Sequence, residues 1–104
     1  MGFIQVVHKK GTLVAALGLV SMSIRLNHTL LKHLIVKAAT STTTFNVALT
    51  DVDGLAIFNL EDVTGELNEI LDEIPTHYDV TLAITASSVA SESFTYKLNA
   101  VEAL

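Results

Sequence analysis

The sequence predicts a mainly β protein: an antiparallel immunoglobulin-like or jelly-roll-like sandwich of about eight strands. Three observations carry this expectation. Apolar residues recur with a period of two along most of the chain, as in SMSIRL, FNVALT and YDVTLAITA. Short clusters of Asn, Asp, Gly, Ser and Thr separate these runs. A single segment shows a helical period instead.

The elements follow in order. FIQVV (residues 3–7) opens an apolar strand, and LVAALGLV (13–20) is apolar on both faces, as in strands buried on both sides. Lys9-Lys10 ahead of this run resembles the start of a signal peptide. The run from Thr12 to Ile24 is shorter than the roughly 20 residues that span a bilayer. Arg25 interrupts it, and the aliphatic GFIQVV precedes the lysines. Residues 11–24 therefore read as a buried strand pair rather than a targeting segment. SMSIRL alternates, with Met22, Ile24 and Leu26 on one face. LLKHLIVKA directs Leu34, Val36 and Ala38 inward, and FNVALT directs Phe45, Val47 and Leu49 inward.

Asp51-Val52-Asp53-Gly54 stands between FNVALT and LAIFNL. With Gly54 as the sixth position of a calcium loop, Asp53 is the fifth and Asp51 the third, but Leu49 is the first and Leu60 the last. Leucine offers no ligand at either end, so the stretch reads as a hairpin turn in which Asp-Gly tolerates positive φ. Next, TGELNEILDEIP (64–75) places Leu67, Ile70, Leu71 and Ile74 at i, i+3, i+4 and i+7, with Glu66, Glu69, Asp72 and Glu73 mainly opposite. Thr64 or Asp62 is a cap and Pro75 a stop, so one short connecting helix is expected near residues 65–73. YDVTLAITA then directs Tyr78, Val80, Leu82 and Ile84 to one face, ASSVASES (86–93) reads as a hairpin loop, and SFTYKLNAV supplies the last strand.

The 104 residues fit one domain, 1–104. Half are hydrophobic and 16% are charged, with mean hydropathy +0.51. A small chain exposes much of its surface, so this apolar content predicts burial against other copies or another protein. There is no cysteine, hence no disulfide, thiol catalyst or thiolate metal site. Charge is divided along the chain. Lys9, Lys10, Arg25, Lys32 and Lys37 precede residue 41 without any acid, whereas Lys97 is the single cation among all eleven acids that follow. Such a split either pairs one half of the fold, or one subunit, with another, or is averaged out where strands from the two halves interleave.

His8, His28, His33 and His77 show no metal-ligand spacing: His28 and His33, five apart, share neither a helix face nor a strand face. No HExxH, GxSxG, P-loop or GxGxxG is present. Asn27-His28-Thr29 is a glycosylation sequon, meaningful in a secreted eukaryotic protein. No catalytic, cofactor-binding or metal residues are assigned, and the chain reads as non-enzymatic, with no cofactor and no small-molecule substrate. Scattered cations without interleaved aromatics argue against nucleic acid, and no membrane role is assigned.

LDEIPTHYDVTLAITA, with Pro75 ahead of Tyr78 and an alternating strand, resembles the corner before the F strand of immunoglobulin-like and fibronectin type III sandwiches. That resemblance implies a Tyr78 hydroxyl bonded back across the loop. The short, acidic, cysteine-free chain, rich in Thr, Ser, Ala and Val and closing on ESFTYKLNAVEAL, resembles small virion proteins of tailed bacteriophages. These are capsid decoration or cement proteins and head–tail accessory proteins. The resemblance implies a structural protein located in the virion, assembled in the host cytoplasm and bound to major capsid protein or to its own copies as a homo-oligomer. Tail accessory proteins and immunoglobulin-like adhesion or carbohydrate-binding modules are the alternatives. An adhesin should expose a cluster of aromatics, yet the chain has four Phe, two Tyr and no Trp.

Overall fold

A computed structural model describes residues 4–76, 78–86 and 91–103. Eight strands are formed: β1 (Ile4–Ala15), β2 (Leu19–Ile24), β3 (Thr29–Ala38), β4 (Thr44–Thr50), β5 (Ala56–Thr64), β6 (Glu66–Thr76), β7 (Val80–Ala86) and β8 (Glu92–Ala103). They make two antiparallel four-stranded sheets, ordered β1-β8-β3-β6 and β2-β7-β4-β5. The first strand lies beside the last, and most connections cross between sheets. This is the strand order of a jelly roll rather than an immunoglobulin sandwich.

The core follows from alternation. Leu34 and Val36 on β3, Phe94 and Leu98 on β8, Val47 and Leu49 on β4, and Leu82 and Ile84 on β7 are all fully buried in one cluster between the sheets. Phe45 on β4 meets Phe94 on β8 across the gap, centroids 5.1 Å apart and edge to face. Burying each such side chain contributes about 1.5–3 kcal/mol. Among the described residues no buried side-chain polar atom lacks a partner. Thr29 and Thr76, both buried, bond hydroxyl to hydroxyl at 2.5 Å, which also holds the sequon threonine inside.

The expected helix near residues 65–73 is not formed; that segment is strand β6. Spacings of four are even, so Leu67 and Leu71 share a face in a strand as well as in a helix, and both are buried. Ile70 separates the two readings, because a helix would bury it and it is 79% exposed. Pairing with β3 slips between His33↔Ile70 and Leu31↔Ile74, and Glu73 has φ 51, a bulge that turns Ile74 back toward the core. Pro75 is tolerated because β6 is an edge strand.

Four further expectations change. FIQVV and LVAALGLV are not two strands. β1 runs unbroken through His8–Gly11, and the chain then reverses at Leu17-Gly18, both with positive φ, the signature of a type I′ turn. Residues 11–24 are thus two edge strands with one face buried each, not a strand pair buried on both sides, and Val14, Leu17 and Leu19 are exposed. ASSVASES does not close a hairpin, since β7 and β8 belong to different sheets; residues 87–90 of it lie outside the described set. Tyr78 is 64% exposed rather than aligned inward with Val80, and among the described residues its hydroxyl makes no bond across a corner.

Gly65 carries the crossing from β5 to β6 alone, which leaves no room for a connecting helix. It has φ 76, donates its N–H to the Thr43 carbonyl at 2.9 Å, and accepts from the Ala38 N–H at 2.8 Å. A Cβ there would stand 2.6 Å from the Ser41 carbonyl oxygen, whereas a Cβ on Gly54, φ 82, would meet open space. Gly65→Ala is therefore expected to cost roughly 2–4 kcal/mol and Gly54→Ala only about 1 kcal/mol. Urea titration of the two variants checks the difference.

Candidate functional site

The Asp51–Gly54 stretch is the turn of the β4–β5 hairpin. Gly54 donates its N–H to the Asp51 carbonyl at 3.0 Å. The Asp51 carboxylate accepts the N–H groups of Asp53 at 3.0 Å and Leu55 at 2.8 Å. One oxygen of Asp51 is thus committed to holding its own loop. Nearby, a cleft of about 450 Å³ is lined by Asp53, Ile57, Pro75, Asp79 and the paired rings of His28 and Tyr78. Asp79 accepts the Leu26 N–H at 3.2 Å. Tyr78 is the exposed aromatic among the described residues; Phe45, Phe94 and Tyr96 are buried. Among the described residues no three His, Asp or Glu side chains gather to hold a metal ion.

The histidines are dispersed. His8 lies 2.6 Å from Asn99 Oδ1 and His33 lies 2.5 Å from Asn68 Oδ1, both on the outer face of the β1-β8-β3-β6 sheet. His77 lies outside the described residues.

Folding turns the charge division of the sequence into a division in space. β1 and β2 are edges of their sheets and meet along one open side of the sandwich; β5 and β6 meet along the other. The β1/β2 side carries Lys9, Lys10 and, just past β2, Arg25, with no acid in either strand. The β5/β6 side carries Glu61, Asp62, Glu66, Glu69, Asp72 and Glu73, with no Lys or Arg in either strand. Among these acids Glu73 is matched from within the fold: Lys32 donates to its Oε1 at 2.6 Å.

The edges also differ in shape. β2 has no proline, charge or bulge, and Leu19 at its start is 60% exposed. An edge of that kind presents unpaired N–H and C=O groups to any other strand. β5 and β6 are interrupted by left-handed residues, Asp62 at φ 57 and Glu73 at φ 51. Between those interruptions β6 pairs regularly with β3 from Glu66 to Ile70. The separation of charge is legible in the sequence, but the local spacing of Glu66, Glu69, Asp72 and Glu73 points to a helix face. Which strands become edges depends on long-range pairing that local spacing does not encode.

No protein-family model matches the chain, and no curated protein matches it. A solved structure of Bacillus endospore appendages, described as forming a novel family of disulfide-linked pili, contains a chain that is similar over 100% of this chain and 91% of its own length, with TM-score 0.72 and 15% identity. At that identity the likeness is one of fold. A chain in the structure of infectious bursal disease virus Gx strain overlaps 98% of this chain and 32% of its own at 12% identity, with TM-score 0.38, too loose to carry an argument.

The Lys32–Glu73 pair gives a direct check on the acidic side. The hydrogen bond from Lys32, and then its charge, hold the Glu73 carboxyl below its usual range. Because the folded value is the lower one, the pair stabilises above the unfolded value and its contribution is lost as pH falls through the folded value. In Lys32→Gln the Glu73 carboxyl is expected to titrate at its ordinary pH, read by NMR of the side-chain carboxyl carbon.

Proposed function

We propose that this chain is a non-enzymatic structural subunit that assembles with copies of itself, the basic β1/β2 side of one copy meeting the acidic β5/β6 side of the next. The observation that carries this reading is the placement of opposite charge on the two open sides of one sandwich. Contact between unlike surfaces is heterologous, so it propagates as a filament unless rotation closes it into a ring. Strand edges supply backbone pairing, the exposed Val14 and Leu19 supply apolar area, and charge sets orientation.

The fold shared with a chain from pilus-forming endospore appendages supports this reading. Those pili are described as disulfide-linked, and the 104 residues here contain no cysteine. Copies of this sequence would be held by noncovalent contact alone. The location that fits is an exposed particle or appendage.

A second reading is favoured by the β1–β2 tip, where Leu17 is 83% exposed beside Val14 and Leu19. A capsid decoration or cement protein, or a head–tail accessory protein, would seat such an apolar tip on a shell subunit of a virion.

Exposed ion pairs contribute only about 0–1 kcal/mol each, but several lie along one contact. Self-association is therefore expected at low salt and is expected to weaken as salt rises. Reversing Glu69 and Asp72 to Lys should shift association by roughly tenfold or more while leaving the circular dichroism spectrum unchanged. Sedimentation velocity across a salt series checks this. A monomer at all salt concentrations, or a reversal variant that associates normally, contradicts the reading; mass spectrometry of source particles separates filament from capsid.

A further inference from the structure

The outer face of the β1-β8-β3-β6 sheet carries a feature that edge-to-edge joining leaves open. Lys10 on β1 stands directly across from Lys97 on β8, and Lys97 from Ile35 on β3. One step along, Thr12 stands across from Thr95, and Thr95 from Lys37. Strand alternation puts all six side chains on the same outward face. They line a hollow of about 540 Å³.

Like charges directly opposed in an antiparallel pair repel and destabilise the sheet. Lys10 and Lys97 are so opposed, and Lys37 stands diagonally across from Lys97. Among the described residues none of the three is in an ion pair; the pair found is Lys32–Glu73. Glu66 stands across from Lys37 on β6 but lies outside the lining of the hollow. Three lysines thus line one hollow, two of them directly opposed, in a chain of net charge −5.

We propose that this hollow binds an oxyanion of charge two or more, a phosphate or sulfate group borne on a carbon skeleton. The lysines donate charge-assisted hydrogen bonds to its oxygens. The Thr12 and Thr95 hydroxyls donate from the floor of the site, and Ile35 packs on the carbon skeleton. Lys37 and Lys97 lie on the central strands β3 and β8, so pairing at the β1/β2 or β5/β6 edges does not cover them. Lys10, on the β1 edge, is shared with the assembly reading, whereas Lys37 and Lys97 are not, so the variants at those two positions separate the inference from it.

The test is an amide-resolved NMR titration of the whole chain at low salt with inorganic phosphate, phenyl phosphate and phenyl sulfate. Saturable shifts are expected at Lys10, Ile35, Lys37 and Lys97, at lower concentration for phenyl phosphate than for inorganic phosphate. Lys10→Gln and Lys97→Gln should each weaken binding at least about threefold, and the triple Lys10, Lys37, Lys97→Gln variant should abolish it. Lys32→Gln removes a cation elsewhere and should leave binding unchanged. These substitutions relieve repulsion at exposed positions, so the variants are expected to fold, with circular dichroism as the check. The proposal is overturned if none of the three anions shifts these amides, or if Lys32→Gln weakens binding as much as Lys97→Gln does. It is equally overturned if the amides shift only with protein concentration, which would put another copy's carboxylates in the hollow.

Discussion

Phe45 and Phe94 meet between two sheets that share no strand, and the fold depends on the burial that surrounds this contact. Each sheet has one apolar face, and neither face survives in water alone. Closing one on the other fixes register, because a slip of one residue would turn Leu34, Val36, Phe94 and Leu98 outward together. It also decides which strands are central. β8, β3, β7 and β4 have neighbours on both sides, which leaves β1, β2, β5 and β6 as the margins.

From those margins comes the candidate site. A sandwich closed face to face still has two open sides, and each offers backbone groups without a neighbouring strand among the described residues. Here the two sides differ in sign. The basic side includes the smooth, uncharged edge of β2, whereas the acidic side is bent by bulges at Asp62 and Glu73. An edge that is acidic and kinked repels its own kind, and an edge that is smooth accepts a strand of the opposite charge. The same arrangement that discourages like-to-like pairing favours head-to-tail contact.

Much of the fold was legible because burial of one face leaves a period of two. Val47 and Leu49, Leu82 and Ile84, and the Asp51–Gly54 turn all stand where alternation and turn chemistry put them. β6 was misread because Leu67 and Leu71 satisfy both periods and a bulge restores Ile74, so a strand imitated a helical stripe. β1 was divided because His8-Lys9-Lys10-Gly11 looks like a break; in the fold it continues through an edge strand whose polar side chains reach water. The charge split was visible in the sequence, but its two sides were not. The lysine hollow was not visible at all, since Lys10, Lys37 and Lys97 become neighbours only when β1, β8 and β3 pair.

The central claim is that the open sides of the sandwich join. Hydrogen–deuterium exchange measured against protein concentration at low salt tests it at the strands themselves. Amides of β1, β2 and β6 should gain protection as concentration rises, while those of β8 and β3, already paired on both sides, stay constant. Exchange at the edge strands that is independent of concentration would contradict edge-to-edge assembly.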